Sequence, residues 1–224
     1  MKRITTLIAV FFIAAPAAAW SQTDSAPPEV SLDGLEQVEK TRRKEVYVNP
    51  EVDWSVYDQL MIDEATVAFR RNWERDQNRN RSSRVTSDDV ERIREGAIEL
   101  FDEVFTKELT EKGGYGIAET AGDNVLRISP HIVDLDVYAP DTRSSATMQR
   151  SYTESAGRMT LKLYLYDSVT GDLLAVAGES KEAPRRGYMQ WSNTVSNTRE
   201  FRMMLQGWAK DLREGLEDAT GKDM

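Results

Sequence analysis

The sequence predicts an α+β protein: a two-layer sandwich in which two main amphipathic helices cover one face of a mostly antiparallel sheet. Three observations predict it. Apolar residues recur at helical spacing in two long stretches, 87–114 and 197–219. Apolar residues alternate at about 57–69, at 125–138 and at 158–167, which is strand periodicity. The strand 158–167 is followed by the turn 168–172 and a second apolar run, Leu173 to Ala177, which reads as a hairpin.

The chain opens with Lys2 and Arg3, then the apolar run Leu7 to Ala15, then Ala17-Ala18-Ala19. A basic start, a short apolar stretch and a small-residue cleavage site make residues 1–19 a secretory signal peptide. The run is shorter than the roughly 20 residues of a membrane-spanning helix, so no stable membrane anchor is expected. Residues 20–31 are polar and proline-bearing, a flexible tether, and 32–220 form a single α+β domain. The net charge is −9, and removing the signal's two positives makes it −11. So acidic a chain is a poor nucleic-acid binder. It contains no cysteine, which excludes disulfides, thiol nucleophiles, cysteine metal sites and lipid attachment at an N-terminal cysteine. These features place it in the bacterial periplasm or outside the cell.

Val46, Tyr47 and Val48 are strand-like, and Asn49-Pro50 ends the run. In 57–69 the apolar parity flips near Asp63 and Glu64, where a bulge would return both halves to one face. Arg70 to Arg84 lacks apolar periodicity. The central helix follows, with Val90, Ile93, Ala97, Phe101, Val104, Phe105 and Leu109 on one stripe. Thr86 or Ser87 caps its start, Asp88 and Asp89 suit its positive end, and Gly113-Gly114 stops it. Tyr115 to Ala118 begins a strand and 121–124 is a turn. In 125–138, Leu126, Ile128 and Ile132 share one parity and Val133, Leu135 and Val137 the other. The switch is expected just past Pro130, whose missing N–H predicts an edge position or a bulge. Residues 139–157 are polar, a long loop or the solvent-facing start of the next strand. Residues 178–195 read as a loop, and the last helix, 197–219, buries Phe201, Met204, Leu205, Trp208, Leu212 and Leu216.

Leu32-Asp33-Gly34-Leu35, Tyr47-Val48-Asn49-Pro50, Asp53 with Tyr57 and Leu60, Gly114-Tyr115 and Val125-Leu126-Arg127 together resemble one family. It is domain-of-unknown-function family 3313, uncharacterised bacterial envelope proteins, many of them lipoproteins. Its members carry a cysteine after the signal, whereas this chain has Trp20. The resemblance implies an envelope location and the same fold. It brings no catalytic residue.

The chemistry-bearing residues are few. His131 is the only histidine, and no serine nucleophile motif accompanies it. Asp134 and Asp136 share a face on a regular strand, where two carboxylates could do acid–base work or hold a metal. Gly113 to Gly116 follows a helix instead of preceding one, so it is a cap and not a phosphate loop. The arginine-rich stretch is the leading binding surface: Arg70, Arg71, Arg75, Arg79, Arg81 and Arg84 surround Trp73 with only Glu74 and Asp76 against them. Arg185 and Arg186, near Tyr188 and Trp191, form a second. The reading is a non-catalytic envelope binding or accessory module, without cofactor, whose partner is an envelope protein or an anionic envelope component. The alternative is a periplasmic hydrolase or metal-binding enzyme using Asp134 and Asp136. Mass measurement of the exported protein is expected to place its first residue at or near Trp20 with no lipid attached; a retained Met1 would overturn the signal-peptide reading.

Overall fold

The structure is a computed structural model that describes residues 27–79, 84–138, 151–153, 157–183, 190–192 and 194–221. Two short strands come first, β1 (Glu36–Lys40) and β2 (Lys44–Val48). β3 (Gln59–Ile62) and β4 (Thr66–Phe69) follow, then a short helix, α1 (Trp73–Asn78). The long helix α2 (Ser87–Lys107) runs into a π-helical turn, Glu108–Lys112. After β5 (Gly116–Ile117) come three long strands with a small one between: β6 (Val125–Val137), β7 (Ser151–Thr153), β8 (Gly157–Asp167) and β9 (Leu173–Glu182). β10 (Gln190–Ser192) and α3 (Thr194–Thr220) complete the chain.

The main sheet has the order β1-β2-β9-β8-β6-β3-β5, with β4 also paired to β6. From β1 to β6 every neighbour is antiparallel; β3, β4 and β5 add parallel pairings at the other side. β7 and β10 form a separate antiparallel ribbon. Both long helices contribute to one apolar core with the inner face of the sheet. Phe101, Phe105, Leu205 and Trp208 meet Leu161, Leu163, Ile128 and Ile132 there, and Phe201 packs at its margin. Phe101 and Phe105 stack at 4.0 Å between ring centroids. The sandwich predicted from periodicity is therefore the observed architecture.

The helices end where the sequence places their caps. Thr86 accepts from the Asp89 amide while the Asp89 carboxylate accepts from Thr86, a reciprocal capping box. Gly114 takes a left-handed conformation at φ +65°. Ion pairs join the helices: Arg202 holds Glu103 through two hydrogen bonds of 2.6 and 2.8 Å, and Arg213 reaches Glu108 at 3.1 Å. Glu108 is buried; burial alone would raise its carboxyl, but hydrogen bonds from Lys112 and Arg213 outweigh it and hold the group below its ordinary value.

Five expectations change in detail. The strand at 57–69 is two strands, broken at Asp63–Ala65, and the break does what the predicted bulge would do: Leu60 and Val67, of opposite parity, both face the core. Pro130 is neither at an edge nor in a bulge. It lies inside the sheet, fully buried and opposite Leu163. The Asp63 amide donates to the Ile128 carbonyl, and alternation turns the Pro130 nitrogen to that same side, where β3 has ended and β4 has not begun. The parity switch falls later, at a bulge between Val133 and Asp136, with Asp134 at φ +51°. The stretch 70–84, although without apolar periodicity, holds the short helix α1. Likewise β9 continues to Glu182, and β10 and α3 begin inside the expected loop 178–195.

Gly157 completes the bulge from the facing strand. It stands at φ +144°, and a Cβ there would lie 2.1 Å from the Asp136 carbonyl oxygen. Gly157→Ala is expected to lower stability by about 3 kcal/mol or more, combining backbone strain with displacement of β6. A denaturant midpoint equal to that of the wild type would show that the two strands do not approach so closely.

Candidate functional site

The arginine-rich stretch is built as an anchored platform. The Arg70 amide donates to the Leu135 carbonyl, prolonging the β4–β6 pairing, and the left-handed Asn72 turns the chain into α1. Trp73 is 2% exposed, stacks on Phe69 at 4.6 Å and donates its indole N–H to the Val137 carbonyl at 3.1 Å. Gln77 donates to that same carbonyl. Arg70 bonds Asp136 through Nε at 3.0 Å and Asp76 through a terminal nitrogen at 3.1 Å. Of the candidate binding residues, Trp73 is placed in the core and Arg70 against the carboxylates of Asp136 and Asp76. Arg71, Arg75, Arg79 and Arg84 are exposed. Arg75 and Arg79 lean toward Asp76 at 3.5 and 3.9 Å, so part of the local positive charge is neutralised. Arg81, Arg185 and Arg186 lie outside the described residues, and of Trp191 only the strand pairing with Tyr152 is described.

The bulge separates the two aspartates. Asp134 is exposed in its left-handed conformation, whereas Asp136 is buried between Arg70 and Arg158, at 3.0 and 3.5 Å. Their expected common face is lost because one extra residue is inserted between them. His131 is buried, with Nδ1 2.7 Å from the Thr66 hydroxyl and the ring edge-on to Tyr164. Burial lowers its pKa, which favours the neutral ring. Among the described residues no group of three or more histidine, aspartate or glutamate side chains is placed to hold a metal ion.

One opening on the core side lies apart from every candidate site read from the sequence. It is a cleft of about 320 Å³ between the second half of α3 and the β1-β2-β9-β8 part of the sheet. Its floor is Leu161, Leu163 and Leu165 of β8 with Ala175 and Ala177 of β9; Val46 and Val48 of β2 and Trp54 form one wall, and Trp208, Leu212, Gly215, Leu216 and Ala219 of α3 the other. Glu39, Lys44, Glu179 and Asp211 stand at its rim. Lys44 pairs with Glu39 at 2.8 Å, and this bond chiefly raises the Lys44 ammonium's pKa. Lys181 lies 3.4 Å from both Glu179 and Asp211 and 5.0 Å over the Trp208 ring, whose N–H donates to Glu179 at 2.9 Å. The signal that could have revealed the cleft is small residues at inward positions on two facing elements: Ala175 and Ala177 on the strand, Gly215 and Ala219 on the helix stripe. A space closed by larger residues elsewhere stays open here.

No helix among the described residues is long and apolar enough to cross a membrane. Among curated proteins none matches the chain. Among solved structures it is similar to a Xanthomonas campestris protein of family DUF330, with 14% identity, 79% of this chain and 92% of that one covered and a TM-score of 0.41. It is also similar to the PelC dodecamer of Paraburkholderia phytofirmans, with 11% identity, 73% and 96% covered and a TM-score of 0.33. Likeness at this level transfers no function. The family match is of another order: residues 29–212, which hold the whole sheet up to β9 and most of α3, match a protein family of unknown function, and the chain belongs to that family, DUF3313.

Proposed function

We propose that the protein is a non-catalytic, exported binding module of the bacterial envelope, and that it works by taking an apolar group into the cleft beneath α3. The observation that carries this reading is the cleft itself. At about 320 Å³ it falls within the usual range of ligand pockets, roughly 300–1,000 Å³, and like them it is apolar within and charged at the rim. The state of the two aspartates favours binding over hydrolysis. Asp136 is committed to two arginines and Asp134 stands apart in solvent, so these two carboxylates do not face a shared space.

Gly215 offers a clean test. It lies in the helix on the cleft wall, and nothing stands within 4 Å of where its Cβ would be. Gly215→Leu is expected to fill the cleft while stabilising α3 by about 0.5–1 kcal/mol, since glycine is a poor helix former. An environment-sensitive apolar fluorophore should bind the wild type saturably and the variant not at all. Equal binding by both, or none by a folded wild type, would remove the cleft from the function.

A second reading has its own observation. Arg71, Arg75, Arg79 and Arg84 are exposed on a platform fixed by Trp73, which suits an anionic envelope component. Changing Arg75, Arg79 and Arg84 to serine is expected to leave the thermal midpoint nearly unchanged and to abolish salt-sensitive binding to anionic vesicles. Retained binding, or none by the wild type at low salt, would reduce these arginines to solubility.

A further inference from the structure

We infer that the cleft selects a single hydrocarbon chain carrying a zwitterionic head group, an inference that rests on the cleft being the binding site. Shape gives the chain. The α3 wall runs from Trp208 to Ala219, and eleven residues at the helical rise make a trough of roughly 16 Å. That trough is lined along its length by aliphatic side chains, a surface that an extended hydrocarbon chain can follow. The floor of three leucines and two alanines offers such a chain no hydrogen-bonding side-chain group.

Charge gives the head group. Three carboxylates, Glu39, Glu179 and Asp211, stand at the rim with the Lys44 ammonium, and the Lys181 ammonium lies just outside it, 3.4 Å from Glu179 and Asp211. Signs alternate along their pairs: Glu39 with Lys44, then Asp211 and Glu179 on either side of Lys181. Lys181 holds both partners at 3.4 Å, longer than the roughly 2.7–2.9 Å of a tight charge-assisted bond; Glu179 is also held by the Trp208 N–H at 2.9 Å, so the more exposed Asp211 is the less engaged of the two. Gly207 leaves room for this arrangement, since a Cβ there would come within 3.2 Å of the Lys181 nitrogen. A zwitterion can set its ammonium among the carboxylates and its phosphate beside a lysine without adding net charge. An anionic head meets one carboxylate in excess.

Calorimetric titration of the whole mature protein tests the inference. The probes are lauroyl lysophosphatidylethanolamine, which is zwitterionic, lauroyl lysophosphatidylglycerol, which is anionic, and dodecyl maltoside, which is uncharged, each below its micelle concentration. The zwitterion should bind about tenfold more tightly than the anion at low salt, the gap narrowing as salt rises. Glu39→Gln combined with Asp211→Asn should bring the two lysolipids together by strengthening the anion, and Gly215→Leu should abolish all three. Equal binding of the three probes overturns the head-group inference and leaves the apolar cleft standing. Binding of none by the folded wild type overturns both. Self-association of the wild type that Gly215→Leu prevents would make the cleft a contact between copies of the chain, and that too overturns the inference.

Discussion

The structure depends on one constraint: β6, thirteen residues long, must keep an apolar face toward the helices along its whole length while pairing on both sides. An interior strand that long tolerates neither a proline nor a change of parity without local remedy. Both remedies are present. Pro130 sits where its parallel partner is interrupted, so the absent N–H deprives no strand of a bond. The bulge at Asp134 then resets the parity, so that Leu135 and Val137 join Ile128 and Ile132 in the core. The bulge has consequences beyond β6. It turns Asp136 inward, which demands cations, and Arg70 and Arg158 supply them; it brings the Asp136 backbone against β8, which demands glycine at 157. Arg70 in turn fixes the start of α1. The arginine platform is thus placed by a strand irregularity 66 positions further along the chain, at Asp136, and not by its own residues' local preferences.

That chain of causes explains which parts the sequence made legible. The helices were, because 3.6-residue periodicity and caps are local: Thr86 with Asp89, Gly114 and the stripe of α2 are all read within a few residues. The β8–β9 hairpin was for the same reason, its turn held by the Asp167 carboxylate accepting from the amides of Val169 and Thr170. What escaped was decided by pairing. β1 reads EQVEK, too polar for a strand on its own, and forms because β2 offers an unpaired edge. The sequence alone assigns Pro130 to an edge or a bulge because the interruption in its neighbour lies in another segment. The burial of Trp73 is equally non-local, since the Val137 carbonyl that accepts its N–H is 64 positions distant. Only the family match spans enough of the chain to carry such long-range information, and it carries fold without function.

The cleft raises the opposite question, why space that could close stays open. Cavities in cores cost stability, and surrounding groups collapse into them where they can. Here α3 is held at its distance by polar contacts on both sides. Toward α2, Arg202 grips Glu103 and Arg213 grips Glu108, itself buried and kept ionised by that pairing. Toward the sheet, Trp208 bonds Glu179 and Lys181 reaches Asp211. Such contacts have preferred lengths, unlike apolar packing, which is non-directional, so they resist a slide of the helix onto the alanines of β9. The same residues that form the charged rim are therefore props for the walls. This couples occupancy to the rim: a head group that competed for Glu179 or Asp211 would loosen one prop while its chain replaced the missing packing beneath α3, and binding would exchange a polar brace for an apolar one with the helix still in place.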